Sequence, residues 1–109
     1  MPPRPRAERR AGGREIAQIS RVPAGSAVAF EDSGTPAVLV HLQNGKFVAY
    51  SAVCTHQGCT VAFQDGQLAC PCHRSVFDPS RGGAVVCGPA PSPLPRIPVK
   101  AQSGKIYRT

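Results

Sequence analysis

Residues 54–79 contain two short ligand-rich stretches, Cys54-Thr55-His56-Gln57-Gly58-Cys59 and Cys70-Pro71-Cys72-His73-Arg74-Ser75-Val76-Phe77-Asp78-Pro79. Four of the five cysteines and two of the three histidines fall between residues 54 and 73. Six soft ligands packed this densely point to a metal rather than to inert buried thiols beside satisfied histidines. Each stretch follows a predicted strand and sits at a hairpin or loop tip. Two tips at the ends of paired strands can converge on one ion or cluster, because the ladder fixes their separation.

Working outward, the flanks read as short strands. Glu15–Ile19, Ala27–Phe30, Ala37–Leu42 and Lys46–Ser51 are rich in Val, Ile, Phe and Ala and are separated by turn residues, including Asp32-Ser33-Gly34 and Asn44-Gly45. Val61–Phe63 and Gln67–Ala69 flank Asp65-Gly66, while Ile97–Ala101 and Lys105–Arg108 flank Ser103-Gly104. Such pairs are hairpin signals. No ten-residue stretch holds a 3.6-residue period without a Gly or Pro, so the class is all-β with several short antiparallel strands. Five prolines between Gly88 and Pro98 remove backbone donors, which makes this segment a rigid loop or edge packed on its own domain.

The 109 residues allow one small domain with a thin core, which a metal or disulfide staple would support. The 11 Gly and 12 Pro argue against a helical bundle and against a nucleotide-binding α/β sheet. There is no run of apolar residues long enough for a transmembrane helix. The formal charge is +7, but Arg4, Arg6, Arg9, Arg10 and Arg14 against Glu8 place +4 in the first fourteen residues. We therefore expect residues 1–13 to be a disordered basic tail, solvated rather than nucleic-acid-binding, and residues 14–109 to be the domain. Residues 1–25 hold no apolar h-region, so the default expectation is cytoplasmic.

Three chemistries could use the ligand set. Tetrahedral zinc takes two Cys and two His, but leaves two thiols idle. A Cys/His nucleophile pair lacks an evident Asp, Asn or oxyanion donor to support it. A [2Fe–2S] centre can take two Cys on one iron and two His on the other.

Together, Cys-Thr-His-Gln-Gly-Cys and Cys-Pro-Cys-His-x-Ser-x-Phe resemble the paired boxes of Rieske iron–sulfur proteins, over about residues 14–109. The resemblance implies a Rieske-type antiparallel β-sandwich with a small inserted cluster-binding subdomain, its loops spanning about residues 52–91. It also implies one [2Fe–2S] cluster, with Cys54 and Cys70 ligating one iron and His56 and His73 the other. Cys59 and Cys72 would form a disulfide between the two loops, a feature of cytochrome bc-type and arsenite oxidase Rieske subunits and of small bacterial relatives. Ferredoxin components of aromatic-ring dioxygenases usually lack that pair. Gly88 and Pro89 fall in the family's third loop, which shields the cluster.

Replacing two thiolates by neutral imidazoles makes an added electron easier to accept, raising the potential to roughly −150 to +300 mV from about −400 mV. By resemblance, Ser75 donates its hydroxyl to a cluster sulfide. Phe77 stands where many high-potential members have Tyr, so an intermediate potential is expected. Arg74 stands where the family usually has Gly. Outside the boxes, Cys87 reads as a buried inert thiol and His41 as a satisfied strand residue. Phe63, Leu68 and Phe77 read as packing around the loops.

The functional expectation is a one-electron carrier between redox partner proteins, without a catalytic site of its own. The alternatives are a small Rieske subunit of a larger membrane-associated or multi-subunit oxidoreductase and, more remotely, a structural zinc module. The resemblance also admits a membrane-associated or exported setting.

Overall fold

Three hairpins among the described residues turn on a dipeptide with both residues at positive φ. Ser33-Gly34 (φ 55° and 84°), Asp65-Gly66 (49° and 81°) and Ser103-Gly104 (54° and 78°) each occupy the two central positions of a tight turn. That is the type I′ geometry whose twist matches paired strands, and glycine reaches it without a Cβ penalty. The Asn44-Gly45 turn differs, because only Gly45 has positive φ. Its N–H donates to the Leu42 carbonyl at 3.0 Å, and the Asn44 carboxamide oxygen accepts from the Lys46 N–H at 3.0 Å.

The computed structural model describes residues 15–55, 59–72 and 74–109. The basic segment 1–13 expected as a tail lies outside them. In chain order the strands are β1 (Glu15–Gln18), β2 (Ser26–Asp32), β3 (Thr35–His41), β4 (Phe47–Ser51), β5 (Ala62–Gln64), β6 (Gln67–Ala69), β7 (Val76–Asp78), β8 (Ala84–Cys87), β9 (Arg96–Ile97), β10 (Val99–Gln102) and β11 (Lys105–Arg108). They form three antiparallel sheets, β1-β11-β10, β2-β3-β4-β9 and β5-β6-β7-β8. Among the described residues the only helical elements are two 3-10 turns, Ile19–Arg21 and Pro79–Arg81. The third sheet is inserted between β4 and β9, as the resemblance implied.

The β2-β3-β4-β9 sheet is the middle layer, which explains why β3 and β4 read as nearly unbroken apolar runs. Side chains alternate faces along a strand. Ala37 and Leu39 of β3, with Ala49 of β4, enter a core with Val22, Ile97 and Ile106. Val38 and Val40, with Val48 and Tyr50, enter a second core with Leu68, Phe77, Ala90 and Leu94, near the inserted sheet. Both faces are buried, so neither strand shows the polar alternation of a half-exposed sheet. An Arg108–Asp32 ion pair at 2.9 Å ties β11 to the end of β2.

Tyr50 joins the middle sheet to the insert. Fully buried, it donates its hydroxyl to the Pro79 carbonyl at 2.7 Å. Desolvation by burial raises its pKa above 10.0. The folded pKa exceeds the unfolded one, so this contribution to stability is intact below pH 10 and is lost as pH rises through the folded value. We expect Tyr50→Phe to cost about 1–2 kcal/mol at neutral pH by stranding the Pro79 carbonyl. It should also remove part of the loss of stability above pH 10, read as the difference between urea melts of the two proteins.

Two expectations are corrected. Ile97–Ala101 is not one strand: Pro98 lacks an N–H, and the chain changes partner there, from β4 through β9 to β11 through β10. β7 and β8 were not anticipated. β7 is three residues long and directly follows the second ligand-rich stretch, where its strand pattern is too short to register.

Candidate metal centre

Each ligand-rich stretch is the tip of a closed hairpin. The first is closed at its base by the Val53–Thr60 bridge and by the Val61 N–H donating to the Ala52 carbonyl at 2.8 Å. The Cys54 N–H then donates to the Cys59 carbonyl at 2.7 Å, folding the loop back on itself. The second tip rises from the Ala69–Val76 pair of β6 and β7. There the Cys70 N–H donates to the Ser75 carbonyl at 2.7 Å, and the Arg74 N–H to the Cys70 carbonyl at 3.0 Å. A disulfide between Cys59 and Cys72 links the two tips, with Cα atoms 6.4 Å apart, as the resemblance implied.

Cys54 and Cys70 stand outside that disulfide and are 2% and 1% exposed. The sulfurs of Cys59, Cys70 and Cys72 lie within 4.8 Å of one another. His56 and His73, the two expected imidazole ligands, lie outside the described residues.

The proline-rich segment closes over both tips, and its alternation explains how. Pro89, Pro91, Pro93 and Pro95 have no N–H to satisfy and are exposed. The residues between them make the anchors. Gly88, at φ 97°, presses against Arg74 and Ser75: a Cβ there would sit 2.5 Å from the Ser75 Cα and 2.9 Å from the Arg74 carbonyl oxygen. The Ala90 N–H donates to the Ser75 hydroxyl at 3.1 Å, and the Ser92 carbonyl accepts from the Thr55 hydroxyl at 2.7 Å. The Leu94 N–H reaches the Gly83 carbonyl at 3.1 Å. Thr55 and Ala90 were not singled out from sequence. The alternation of proline with small residues was the available signal for Ala90, and nothing local marked Thr55.

A soft-metal group fits these residues. Two buried thiols at the mouths of linked loops are suited to a thiolate-liking iron. Ser75 is fully buried, and its hydroxyl accepts from Ala90, yet its own proton has no acceptor among the described residues. A buried donor without an acceptor is costly, and a cluster sulfide would satisfy it. Phe77 is fully buried opposite Leu68 and brings no hydroxyl. Phe63 packs partly buried against the same core. At the end of β7, Asp78 accepts from the Ser80 N–H at 2.9 Å and the Ser80 hydroxyl at 2.7 Å, which holds the Asp78 carboxyl below its ordinary pKa.

His41 is a satisfied strand residue, as expected: its Nδ1–H donates to the Val22 carbonyl at 2.6 Å, and its ring stacks on Phe47 at 4.0 Å. The expectation for Cys87 is corrected, because this thiol is exposed. Val76 pairs with Cys87 and Phe77 with Val85, so Val86 is an extra residue, 50% exposed, in the edge strand β8. Such a bulge disrupts the regular alternation of the strand.

A β-domain whose linked hairpin tips offer buried thiols under a rigid loop has the makings of a thiolate-ligated metalloprotein. The chain belongs to the Rieske [2Fe-2S] domain family, whose model matches residues 14–98. That family binds one [2Fe–2S] cluster. The chain is 46% identical over 74 residues to a Haloferax mediterranei protein assigned to respiratory nitrate reductase as its Rieske subunit. It is 33% identical over 93 residues, 84% of this chain, to the cytochrome b6-f complex iron-sulfur subunit of Chlorobaculum tepidum. The chain spans 34% and 50% of the lengths of these two curated relatives. Its fold matches the plasma membrane Rieske protein of Synechocystis PCC 6803 with a TM-score of 0.78 at 25% identity, covering 88% of this chain and 98% of that one.

Proposed function

We propose that this chain carries one electron at a time between protein partners, with Cys54 and Cys70 as ligands to one iron of the cluster and His56 and His73 as ligands to the other. The observation that carries this reading is the placement of Cys54 and Cys70 at two hairpin tips linked by the Cys59–Cys72 disulfide. When bound, the [2Fe–2S] cluster supplies a reversible one-electron couple. The chain's own residues do the rest. Cys54 and Cys70 bind as thiolates, giving up their protons. The buried Ser75 hydroxyl donates toward added negative charge and favours the reduced form. The loop from Gly88 to Pro95 keeps water from the buried thiols. Phe77 withholds the hydroxyl that a tyrosine would donate, which holds the potential below that of tyrosine-bearing relatives.

The matched relatives bear the names of respiratory and b6-f complex subunits, which favours a second, narrower reading as the Rieske subunit of a multi-subunit oxidoreductase. No helix among the described residues is long and apolar enough to cross a membrane. Membrane association would then come through a partner or through sequence beyond this domain.

Low-temperature EPR tests the carrier reading. Reduction with ascorbate is expected to give a rhombic signal whose average g lies well below that of all-cysteine [2Fe–2S] centres. The same signal with dithionite alone would keep the ligand set and lower the potential. Silence under both reductants, in colourless protein holding stoichiometric zinc, would overturn the reading in favour of a structural zinc module.

A further inference from the structure

We propose that Arg74 is a docking residue, which receives a carboxylate of an acidic electron-transfer partner at the rim of a shallow apolar seat beside Cys70. The inference rests on the carrier reading and names the chemistry of the partner. Three observations carry it.

The first is charge isolation. Apart from Asp65 in the β5–β6 turn, residues 51–77 and 82–95 contain one charged side chain, Arg74, cysteines and histidines aside. A single exposed cation on an otherwise uncharged tip gives that tip one sign of field. Asp78, the nearest acid in sequence, is already held by Ser80 and by Arg81 at 3.5 Å.

The second is backbone cost. Arg74 has φ 61°, a left-handed conformation that glycine adopts freely and that an L side chain occupies at a penalty. The turn also anchors the loop, through the Arg74 N–H to Cys70 carbonyl bond and the contact of the Arg74 carbonyl with Gly88. Glycine would adopt this turn without that penalty, so the turn itself does not call for an arginine. A strained residue at a functional surface is a recognised pattern.

The third is the seat itself. Arg74 borders a depression of about 410 Å³ lined by Ala62, Gln64, Ala69, Cys70, Pro71 and Val76. A mostly apolar lining, with Gln64 as its neutral polar member and one arginine at the rim, matches the anatomy of an interface centre, where arginine is enriched. Arginine offers a planar fork of donors suited to a carboxylate. The seat adjoins a proposed iron ligand, so a partner held there would lie close to the electron.

The test follows oxidation of the ascorbate- or dithionite-reduced protein by stopped flow, each event passing one electron to the oxidant. Two oxidants are used at low ionic strength, anionic ferricyanide and cationic tris(phenanthroline)cobalt(III). Arg74→Asn removes the charge while tolerating positive φ, and Arg74→Lys keeps the charge. Arg74→Asn is expected to slow ferricyanide oxidation about fivefold, in line with one unit charge acting at contact in water, and not to slow the cobalt reaction. Arg74→Lys should retain most of the ferricyanide rate. Poly-L-glutamate should slow ferricyanide oxidation of the native protein and not that of Arg74→Asn.

Equal ferricyanide rates in native and Asn variants, with a normal EPR signal in both, would overturn the inference and leave the carrier reading standing. A charge-dependent ferricyanide rate that poly-L-glutamate does not touch would reduce the site to a small-anion site and overturn the carboxylate partner. Native protein with no EPR signal under either reductant would overturn the carrier reading, and this inference with it.

Discussion

Gly88→Ala is expected to cost about 2–5 kcal/mol of stability and to hasten cluster loss, although residue 88 is not a proposed ligand. The positive φ of 97° penalises any L side chain, by about 1–2 kcal/mol. The following Pro89 restricts the residue before it further, toward extended conformations of negative φ. The new methyl would also meet backbone, at 2.5 Å from the Ser75 Cα and 2.9 Å from the Ser75 N. Backbone cannot rotate away as a flexible side chain can, so the proline loop or the second tip must move. Overpacking of this kind adds about 1–3 kcal/mol. Movement at Ser75 would also loosen the Ala90 to Ser75 hydrogen bond that seats the loop. Gly104→Ala is the control. Its φ is also positive, at 78°, but nothing lies within 4 Å of the added carbon, so only the backbone term remains. Denaturant melts monitored by visible absorption should place Gly88→Ala well below Gly104→Ala. Equal midpoints would remove the loop contact from the stability of the centre.

Much of this arrangement was legible in the sequence because it depends on local chemistry. The dipeptides Asp65-Gly66 and Ser103-Gly104 marked hairpins that form as read, since their backbone angles are set by the residues themselves. The apolar runs Ala37–Leu42 and Lys46–Ser51 marked β3 and β4, although periodicity could not show that both faces of these strands are buried against different layers. The disulfide partners and the two thiols came from the resemblance, and the structure joins Cys59 to Cys72 while leaving Cys54 and Cys70 outside the bond. What escaped reading depends on non-local pairing. The bulge at Val86 that accompanies the exposure of Cys87 exists only because β8 pairs with β7, and neither strand is long enough to announce itself. The switch at Pro98 was available in principle, since a proline inside a strand signals a break, but its consequence needed β4 and β11 in place. The Thr55 to Ser92 bond spans 37 positions and has no local signature.

Those non-local contacts also rank the cysteines and histidines by consequence. His73→Ala is expected to abolish cluster assembly, whereas Cys72→Ser, one residue earlier, is expected to leave a cluster that assembles and is lost more readily. The two losses are of different kinds. A proposed ligand closes the iron's coordination shell, and an alanine methyl offers no lone pair to replace an imidazole nitrogen. The disulfide, by contrast, touches stability through the chain: it joins residues 13 apart and restricts the unfolded ensemble, an effect of about 3 kcal/mol for a loop of this size. The Pro89–Pro95 cover, anchored through Ala90, Ser92 and Leu94, remains in the serine variant and holds the tips near each other. Iron and acid-labile sulfide per chain should therefore fall to background in His73→Ala and stay near the native value in Cys72→Ser, while the half-life of the visible spectrum in urea shortens only in the latter. Full iron content in His73→Ala would remove His73 from the ligand set, and an equal loss in both variants would make the disulfide a condition of assembly rather than a brace.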